Sequence, residues 1–211
     1  MTNFILENVI NKIKKNIIQE SKLDSVINKI YRDIIKNFKI KNNFVENYYF
    51  ERANDYADIK LKCKFIRDKE FNYPFSISAN AEFDNMEIEI TYRPQDFPKN
   101  MVNLTAEVKE TITHEIEHIG QHNFEDMYII PKKYESYIEY LTSPEEVSAY
   151  VKGLIERARF KRISFNDSMQ EWFEENINNF ENPTKQWPKV KKTWLDYANK
   201  MREKNKVKKF N

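Results

Sequence analysis

The chain lacks several features that define whole classes of proteins. Its single cysteine, Cys63, excludes an internal disulfide and predicts a reducing compartment. No apolar run approaches membrane-spanning length, and the first residues have no apolar signal-peptide core. The dominance of Lys, Asn and Ile is typical of AT-rich genomes, such as those of many phages. We therefore expect a soluble cytoplasmic protein, found in the host cytoplasm or the virion if a phage encodes it, without a membrane partner.

What the chain does contain is enough for a packed core. Apolar residues make up 40% of the 211 residues and charged residues 32%, a balance that excludes a disordered chain. Residues 1–45 are predicted to form an N-terminal helical pair, residues 46–183 a core domain, and residues 184–211 a basic C-terminal helix or tail. The helical pair is expected to pack on the domain's own sheet or to dock a protein assembly partner.

The hydrophobic period changes along the chain and predicts an α+β fold. Residues 58–92 alternate apolar and polar side chains, as strands of a small antiparallel sheet do. Helical spacing returns later and predicts helices at about 103–124, 134–141, 144–162, 166–180 and 186–204. The first of these helices is expected to lie across the sheet.

All three histidines lie within nine positions, in the segment ITHEIEHIGQH at 112–122. His114, Glu115 and His118 form an H-E-x-x-H motif on a predicted helix. Residues four apart lie on one helix face about one turn apart, so the two imidazoles can bind one zinc ion. Glu115 is then close enough to take a proton from a water on the metal as general base. The alternative is a solvated helix face with ordinary histidines.

A catalytic zinc ion usually has three protein ligands, so a third ligand is needed. His122 is evenly spaced with the other two histidines. On a continuous helix, however, it lies about 12 Å along the axis from His114, at about 1.5 Å per residue. It becomes a candidate only if the helix ends at Gly120. Asp126 is a further candidate.

The segment SPEEVSAY at 143–150 opens another predicted helix. Together with the H-E-x-x-H motif, it resembles the gluzincin branch of the zinc metallopeptidases, and especially small phage-type or bacterial members. In that family a glutamate on the helix after the motif, often in an E-x-x-A pattern, completes the zinc site. Glu146 with Ala149 matches this pattern; Glu145 does not, but it remains an alternative third ligand. The alternative is a capping box of Ser143 and Glu146, which needs no metal.

The resemblance covers about residues 86–160 and departs from the gluzincin pattern at Tyr150. Some relatives carry an acid at this place, four residues after the glutamate. A tyrosine there can hydrogen-bond a metal ligand or donate to the oxyanion of a tetrahedral intermediate, or it can be core packing. Tyr134, Tyr137 and Arg157 are further candidate donors.

The segment MEIEITY at 86–92 is predicted to be an edge strand. By analogy with zincins, it would hold a peptide substrate as an additional strand beside the active helix. An ordinary strand within the sheet is the alternative.

The C-terminal segment differs in charge from the rest of the chain. Residues 184–211 hold ten Lys or Arg and two acidic residues, whereas the rest holds 25 basic and 31 acidic residues. A basic segment with aromatic residues such as Trp187 and Trp194 can bind nucleic acid through phosphates and stacking. A solvated helix face is the commoner explanation of such a run, so nucleic acid is not the expected partner.

The predicted function is zinc-dependent hydrolysis of peptide bonds. His114, His118 and Glu146 would hold Zn²⁺, while Glu115 and Tyr150 would act in catalysis on a peptide or protein substrate. The alternative is a structural or binding protein, virion-associated if phage-encoded, that carries a zincin-like domain and makes its contacts through the terminal helices.

Overall fold

The structure is a computed structural model, and it describes residues 44–50, 59–82, 85–97, 99–122 and 134–210. The chain divides into two compact units, Met1–Phe97 and Pro98–Asn211. The predicted N-terminal helical pair lies outside the described residues. Within the described part of the chain, no helix is both long enough and apolar enough to cross a membrane.

The first unit contains a four-stranded sheet. Its strands are β1 (Phe44–Phe50), β2 (Ile59–Arg67), β3 (Phe75–Glu82) and β4 (Asn85–Tyr92). They lie in the order β1-β2-β4-β3. Strand β1 was not predicted, because its sequence FVENYYF lacks a clear period of two.

The predicted alternation of buried and exposed side chains is confirmed in the two central strands. Their buried side chains are Leu61, Cys63 and Phe65 on β2 and Met86, Ile88, Ile90 and Tyr92 on β4. On the opposite face, Lys62 pairs with Glu87 at 2.8 Å, and Lys64 pairs with Glu89 at 2.6 Å. Such exposed ion pairs contribute little energy individually, but they match the register in which β2 and β4 pair.

The strand pairing differs from the predicted antiparallel sheet. The β1–β2 and β3–β4 pairs are antiparallel, but β2 and β4 are parallel, so the sheet is mixed. The prediction that residues 86–92 form an edge strand is therefore wrong. Because the backbone of β4 pairs with β2 on one side and β3 on the other, it cannot take up a substrate strand.

The second unit is helical, and each of its described α-helices was predicted, with ends that differ by up to six residues from those observed. They are α1 (Met101–His122), α2 (Tyr137–Thr142), α3 (Pro144–Lys161), α4 (Phe165–Asn176) and α5 (Pro183–Phe210). The mixture of helices with a small sheet agrees with the predicted fold class.

Helix α5 contributes directly to the core of the helical unit. Trp187, Val190 and Trp194 are buried there, together with side chains from α2, α3 and α4. Because both tryptophans are enclosed by the protein, they cannot stack on nucleotide bases. The apolar face of this basic segment is therefore a packing surface.

Candidate metal centre

Helix α1 presents the two motif histidines to helix α3. His114 and His118 lie one turn apart, and their Nε2 atoms are 3.0 Å from each other. The helix runs through Gly120 and ends at His122, so the break required for a third ligand at position 122 does not occur. The two imidazoles therefore form a pair on one helix face.

Glu146 completes the group from the first turn of α3. Its Oε2 lies 3.5 Å from the Nε2 of His114, and its Oε1 lies 3.4 Å from the Nε2 of His118. The exposed fractions of these side chains are only 13% for His114, 18% for His118 and 11% for Glu146. Two helices thus bring two ring nitrogens and one carboxylate together, largely away from solvent.

Glu146 does not form a capping box with Ser143, which was the alternative explanation of its position. Ser143 occupies the N-cap of α3, but its side chain makes no capping hydrogen bond. Its hydroxyl instead accepts a hydrogen bond from Tyr134. A true capping box does occur at the next helix, between Ser164 and Asp167. Helix capping therefore does not explain the position of Glu146.

The remaining candidates for a third ligand are not part of the group. Glu145 is exposed, and it does not belong to the His114, His118 and Glu146 cluster. Asp126 and the side chain of His122 lie outside the described part of the chain. Among the described residues, the glutamate chosen by the E-x-x-A pattern is thus the one that meets the histidines.

Small residues on α3 allow the two helices to approach this closely. Ala149 and Gly153 are buried and lie one turn apart on α3. A Cβ atom at Gly153 would lie 2.9 Å from the carbonyl oxygen of Glu110 on α1, closer than packed atoms tolerate. The side chains of His114, His118 and Glu146 can meet because this crossing is short.

The spacing of the three groups fits a tetrahedral metal ion. Ligand atoms bonded to zinc at about 2.0–2.1 Å lie about 3.3 Å from one another. The two imidazole nitrogens lie 3.0 Å apart, and each lies 3.4–3.5 Å from a different oxygen of Glu146. With one ligand atom from each residue, the three atoms all lie within 4.8 Å of one another, so a small movement of the side chains would bring them to that spacing. Moreover, the buried Oε2 of Glu146 has no hydrogen-bond donor. A cation at the centre of the group would satisfy this oxygen, so the residues fit the metal that the motif implies.

Burial and mutual charge set the protonation of the group. Burial, reinforced by the neighbouring His118, lowers the pKa of His114 to about 4, so this imidazole is neutral at pH 7. Burial also disfavours the charged form of His118, but the Glu146 carboxylate outweighs it and raises the pKa of His118. Although burial opposes ionisation of Glu146, His118 and His114 hold the pKa of its carboxyl below the ordinary value. Glu146 therefore remains an anion beside a neutral imidazole.

Glu115 occupies a partly buried position next to this group. Burial raises the pKa of its carboxyl, the charge of His118 lowers it, and the charge of Glu146 raises it further. The net increase brings Glu115 closer to the pKa of an efficient general base near neutral pH.

Two tyrosines connect the carboxylate to the aromatic core. The hydroxyl of Tyr140 lies beside the Glu146 carboxylate and helps to lower the pKa of that carboxyl, and the hydroxyls of Tyr140 and Tyr150 influence each other's pKa. The ring of Tyr150 lies edge-on to His114, with centroids 4.5 Å apart, and stacks on Trp194 at 5.1 Å. Tyr150 is thus next to the three clustered side chains, with its ring packed between His114 and Trp194 and edge-on to Tyr140 at 6.3 Å.

The other candidate donors are engaged elsewhere. Tyr134 donates to Ser143, and Tyr137 hydrogen-bonds Asn179. Arg157 is buried, and its guanidinium donates to Glu110, Glu171 and Glu175. These contacts join α1, α3 and α4.

Sequence reasoning missed two residues that contact the group. Tyr140 lies on α2, and no motif links this residue to the histidines. Gln121 lies three residues after His118, and its Oε1 is 3.1 Å from the Nδ1 of that histidine. Its spacing on the helix was the only signal that could have identified it.

Comparisons of the chain with protein-family models, with curated proteins and with solved structures found no match.

Proposed function

We propose that the protein is a zinc-dependent peptidase whose metal ligands are His114, His118 and Glu146. The observation that carries this proposal is the convergence of these three side chains, from two helices, into a group whose ligand atoms all lie within 4.8 Å of one another. The unpartnered Oε2 of Glu146 supports it further, because a buried carboxylate oxygen without a donor is costly unless a cation contacts it.

The donor set favours zinc with an open coordination position. Two imidazoles and one carboxylate are the ligands of a known class of catalytic zinc sites, in which a water takes the fourth position. When bound, zinc would lower the pKa of that water and polarise the carbonyl of the scissile peptide bond.

The protein's own residues would handle the proton. Glu115, whose carboxyl pKa is raised by burial, would accept a proton from the attacking water. It would then return the proton to the nitrogen of the leaving amine, which is expelled as the peptide bond breaks. Tyr140 would hold the Glu146 carboxylate in place, and Tyr150 would hold both Tyr140 and the ring of His114.

The metal content of the purified protein tests the site directly. Wild-type protein reconstituted with zinc and then desalted should hold about one zinc ion per chain, and His118→Ala should lose it. Inductively coupled plasma mass spectrometry gives both numbers. If the wild type holds no metal after reconstitution, the proposal is wrong and the motif is a coincidence.

Cleavage of a quenched fluorescent peptide library tests the chemistry. Glu115→Gln removes the proton acceptor with little change in size, so it should retain zinc and lose cleavage. If the wild type retains zinc but cleaves no peptide, and Glu115→Gln matches it in every assay, the site is a non-catalytic metal centre. That outcome would favour the structural or binding role over the enzyme.

A further inference from the structure

We propose that Gln121 is a positioning residue that holds His118 in the tautomer whose Nε2 lone pair faces His114 and Glu146. This inference rests on the proposed metal site for its purpose, but its central claim concerns the metal-free protein. Gln121 lies in the last turn of α1 and contacts both helices that carry the metal ligands.

The orientation of the Gln121 amide follows from its second partner. Its Nε2 lies 3.0 Å from the backbone carbonyl oxygen of Glu145. A carbonyl oxygen can only accept a hydrogen bond, so the NH₂ end of the amide must face Glu145. The Oε1 end must therefore face His118, where it lies 3.1 Å from Nδ1.

The amide orientation in turn determines where His118 carries its proton. An amide oxygen can only accept, so the Nδ1 of His118 must be the donor. When His118 is neutral it carries one N–H, so with Nδ1 as the donor its Nε2 holds a free lone pair. This Nε2 is the atom that lies 3.0 Å from the Nε2 of His114 and 3.4 Å from Glu146. Gln121 therefore presets the ring nitrogen that a metal ion needs.

The same side chain also ties together the two helices of the site. Glu145 directly precedes the ligand Glu146 in the first turn of α3, and His118 lies on α1. One amide group thus bridges a ligand on α1 to the residue next to a ligand on α3. Loss of the bridge would free both the ring of His118 and the start of α3.

Two substitutions of Gln121 separate these contacts. Gln121→Met keeps the size of the side chain but removes both hydrogen bonds. Gln121→Glu keeps an acceptor for His118 and removes the donor to Glu145. A matched control is Gln170→Met, because Gln170 is an exposed glutamine on α4 that bonds only Glu174 among its described partners, at 3.0 Å.

The tautomer can be measured without any metal. The chain has only three histidines, so a long-range ¹H–¹⁵N spectrum contains three imidazoles, and His118→Ala identifies its own signal. The spectrum is recorded at a pH high enough for the His118 signals to have reached their neutral-ring values, and there His118 should be an Nδ1–H tautomer in the wild type. Gln121→Glu and Gln170→Met should keep that tautomer, whereas Gln121→Met should shift His118 towards Nε2–H. An Nε2–H tautomer in the wild type, or no change in Gln121→Met, would overturn the inference.

Zinc affinity, measured by competition with a chromogenic chelator, is the second readout. Gln121→Met should weaken binding by about 10–100-fold, as loss of a hydrogen bond to a ligating histidine typically does. Gln121→Glu should weaken binding less, and Gln170→Met should leave it unchanged. An unaltered affinity in Gln121→Met would also overturn the positioning role.

The two readouts distinguish failure of this inference from failure of the proposed function. If the wild type binds no zinc but its tautomer depends on Gln121, the metal site is refuted and the control of His118 by Gln121 stands. If the wild type binds zinc and Gln121→Met changes neither tautomer nor affinity, the metal site stands and the role of Gln121 is refuted.

Discussion

Gly153 on α3 lies directly against the backbone of Glu110 on α1. The contact leaves no room for a side chain at position 153, because an added Cβ atom would be 2.9 Å from the Glu110 carbonyl oxygen. This contact lies at the crossing of the two helices that carry the histidines and Glu146. The approach of Glu146 to His114 and His118 therefore depends on a residue that does not belong to this group.

Gly153→Ala should separate α1 from α3 and weaken the metal site. Alanine gains up to about 1 kcal/mol of helix propensity over glycine. Overpacking against a backbone atom costs about 1–3 kcal/mol, and we expect this cost to be the larger effect. Urea unfolding should show a lower free energy of unfolding, and chelator competition a lower zinc affinity. Unchanged values for both quantities would show that the crossing can relax without moving the ligands.

Glu146→Gln should lose zinc, whereas Glu145→Gln should keep it. The two glutamates are adjacent, but only Glu146 meets the histidines, and Glu145 is exposed. Removal of a ligand charge should lower affinity by more than the roughly 10–100-fold typical of an outer hydrogen bond. Chelator competition measures both variants, with His122→Ala as a third that should also retain zinc. If Glu145→Gln or His122→Ala lowered zinc affinity more than Glu146→Gln does, that residue would be the third ligand instead.

Tyr140→Phe should weaken zinc binding by about 10–100-fold, because it removes the hydroxyl that favours the charged form of the Glu146 carboxyl. Tyr137→Phe is its control: the two rings are stacked 6.1 Å apart, but the Tyr137 hydroxyl bonds Asn179. The zinc affinity of both variants can be compared in one competition experiment. Equal affinities would show that Tyr140 contributes only to packing.

The free energy of unfolding should fall between about pH 5 and pH 8, partly because of two partly buried carboxyl groups. Burial, assisted by neighbouring carboxylates, raises the pKa of Glu107 to about 8, and burial raises that of Glu110 to about 7 even against the pull of Arg157. A carboxyl with a raised pKa in the folded state binds its proton more tightly than in the unfolded state. Its stabilisation is therefore complete below about pH 4.5 and is lost as pH rises through 7 to 8.

Glu107→Gln isolates this effect, because glutamine mimics the protonated carboxyl at every pH. The variant should be more stable than the wild type at pH 8, and the difference should shrink towards pH 5. Each carboxyl group lowers the free energy of unfolding by at most about 1.4 kcal/mol per pH unit in this range. Denaturant unfolding of metal-free protein gives the free energy of unfolding of each variant as a function of pH. Glu174→Gln, at an exposed position, is the control. A difference that grows towards low pH would contradict the predicted sign.

Trp194→Ala should destabilise the helical unit by about 3–5 kcal/mol, the usual cost of deleting a buried aromatic side chain. Trp194 is fully buried, stacks on Tyr150 and donates from Nε1 to the Leu141 carbonyl at 2.9 Å. Exposed Lys192→Ala on the same helix should change the free energy of unfolding by less than about 0.5 kcal/mol. If both variants unfolded like the wild type, residues 184–211 would be an appendage without a part in the core.

Local spacing was sufficient to predict most of the helices and part of the site. A period of 3.6 residues identifies a helix within its own sequence, and two histidines four apart must share a helix face. His114 and His118 could therefore be paired without any tertiary information. Glu146 could be selected from the E-x-x-A pattern, and its meeting with the histidines agrees with that selection.

What the sequence determined by itself was the type of every described element except β1 and the 3-10 turns, and the face that most side chains occupy, because both follow from short-range geometry. Only the tertiary structure decided which elements are neighbours. Alternation in β4 specifies a buried face but not a parallel partner, so its place inside the sheet could not be read from its residues. The contacts of Tyr140 with Glu146 and of Gly153 with Glu110 likewise join separate helices, and only the packing of the whole unit brings them together.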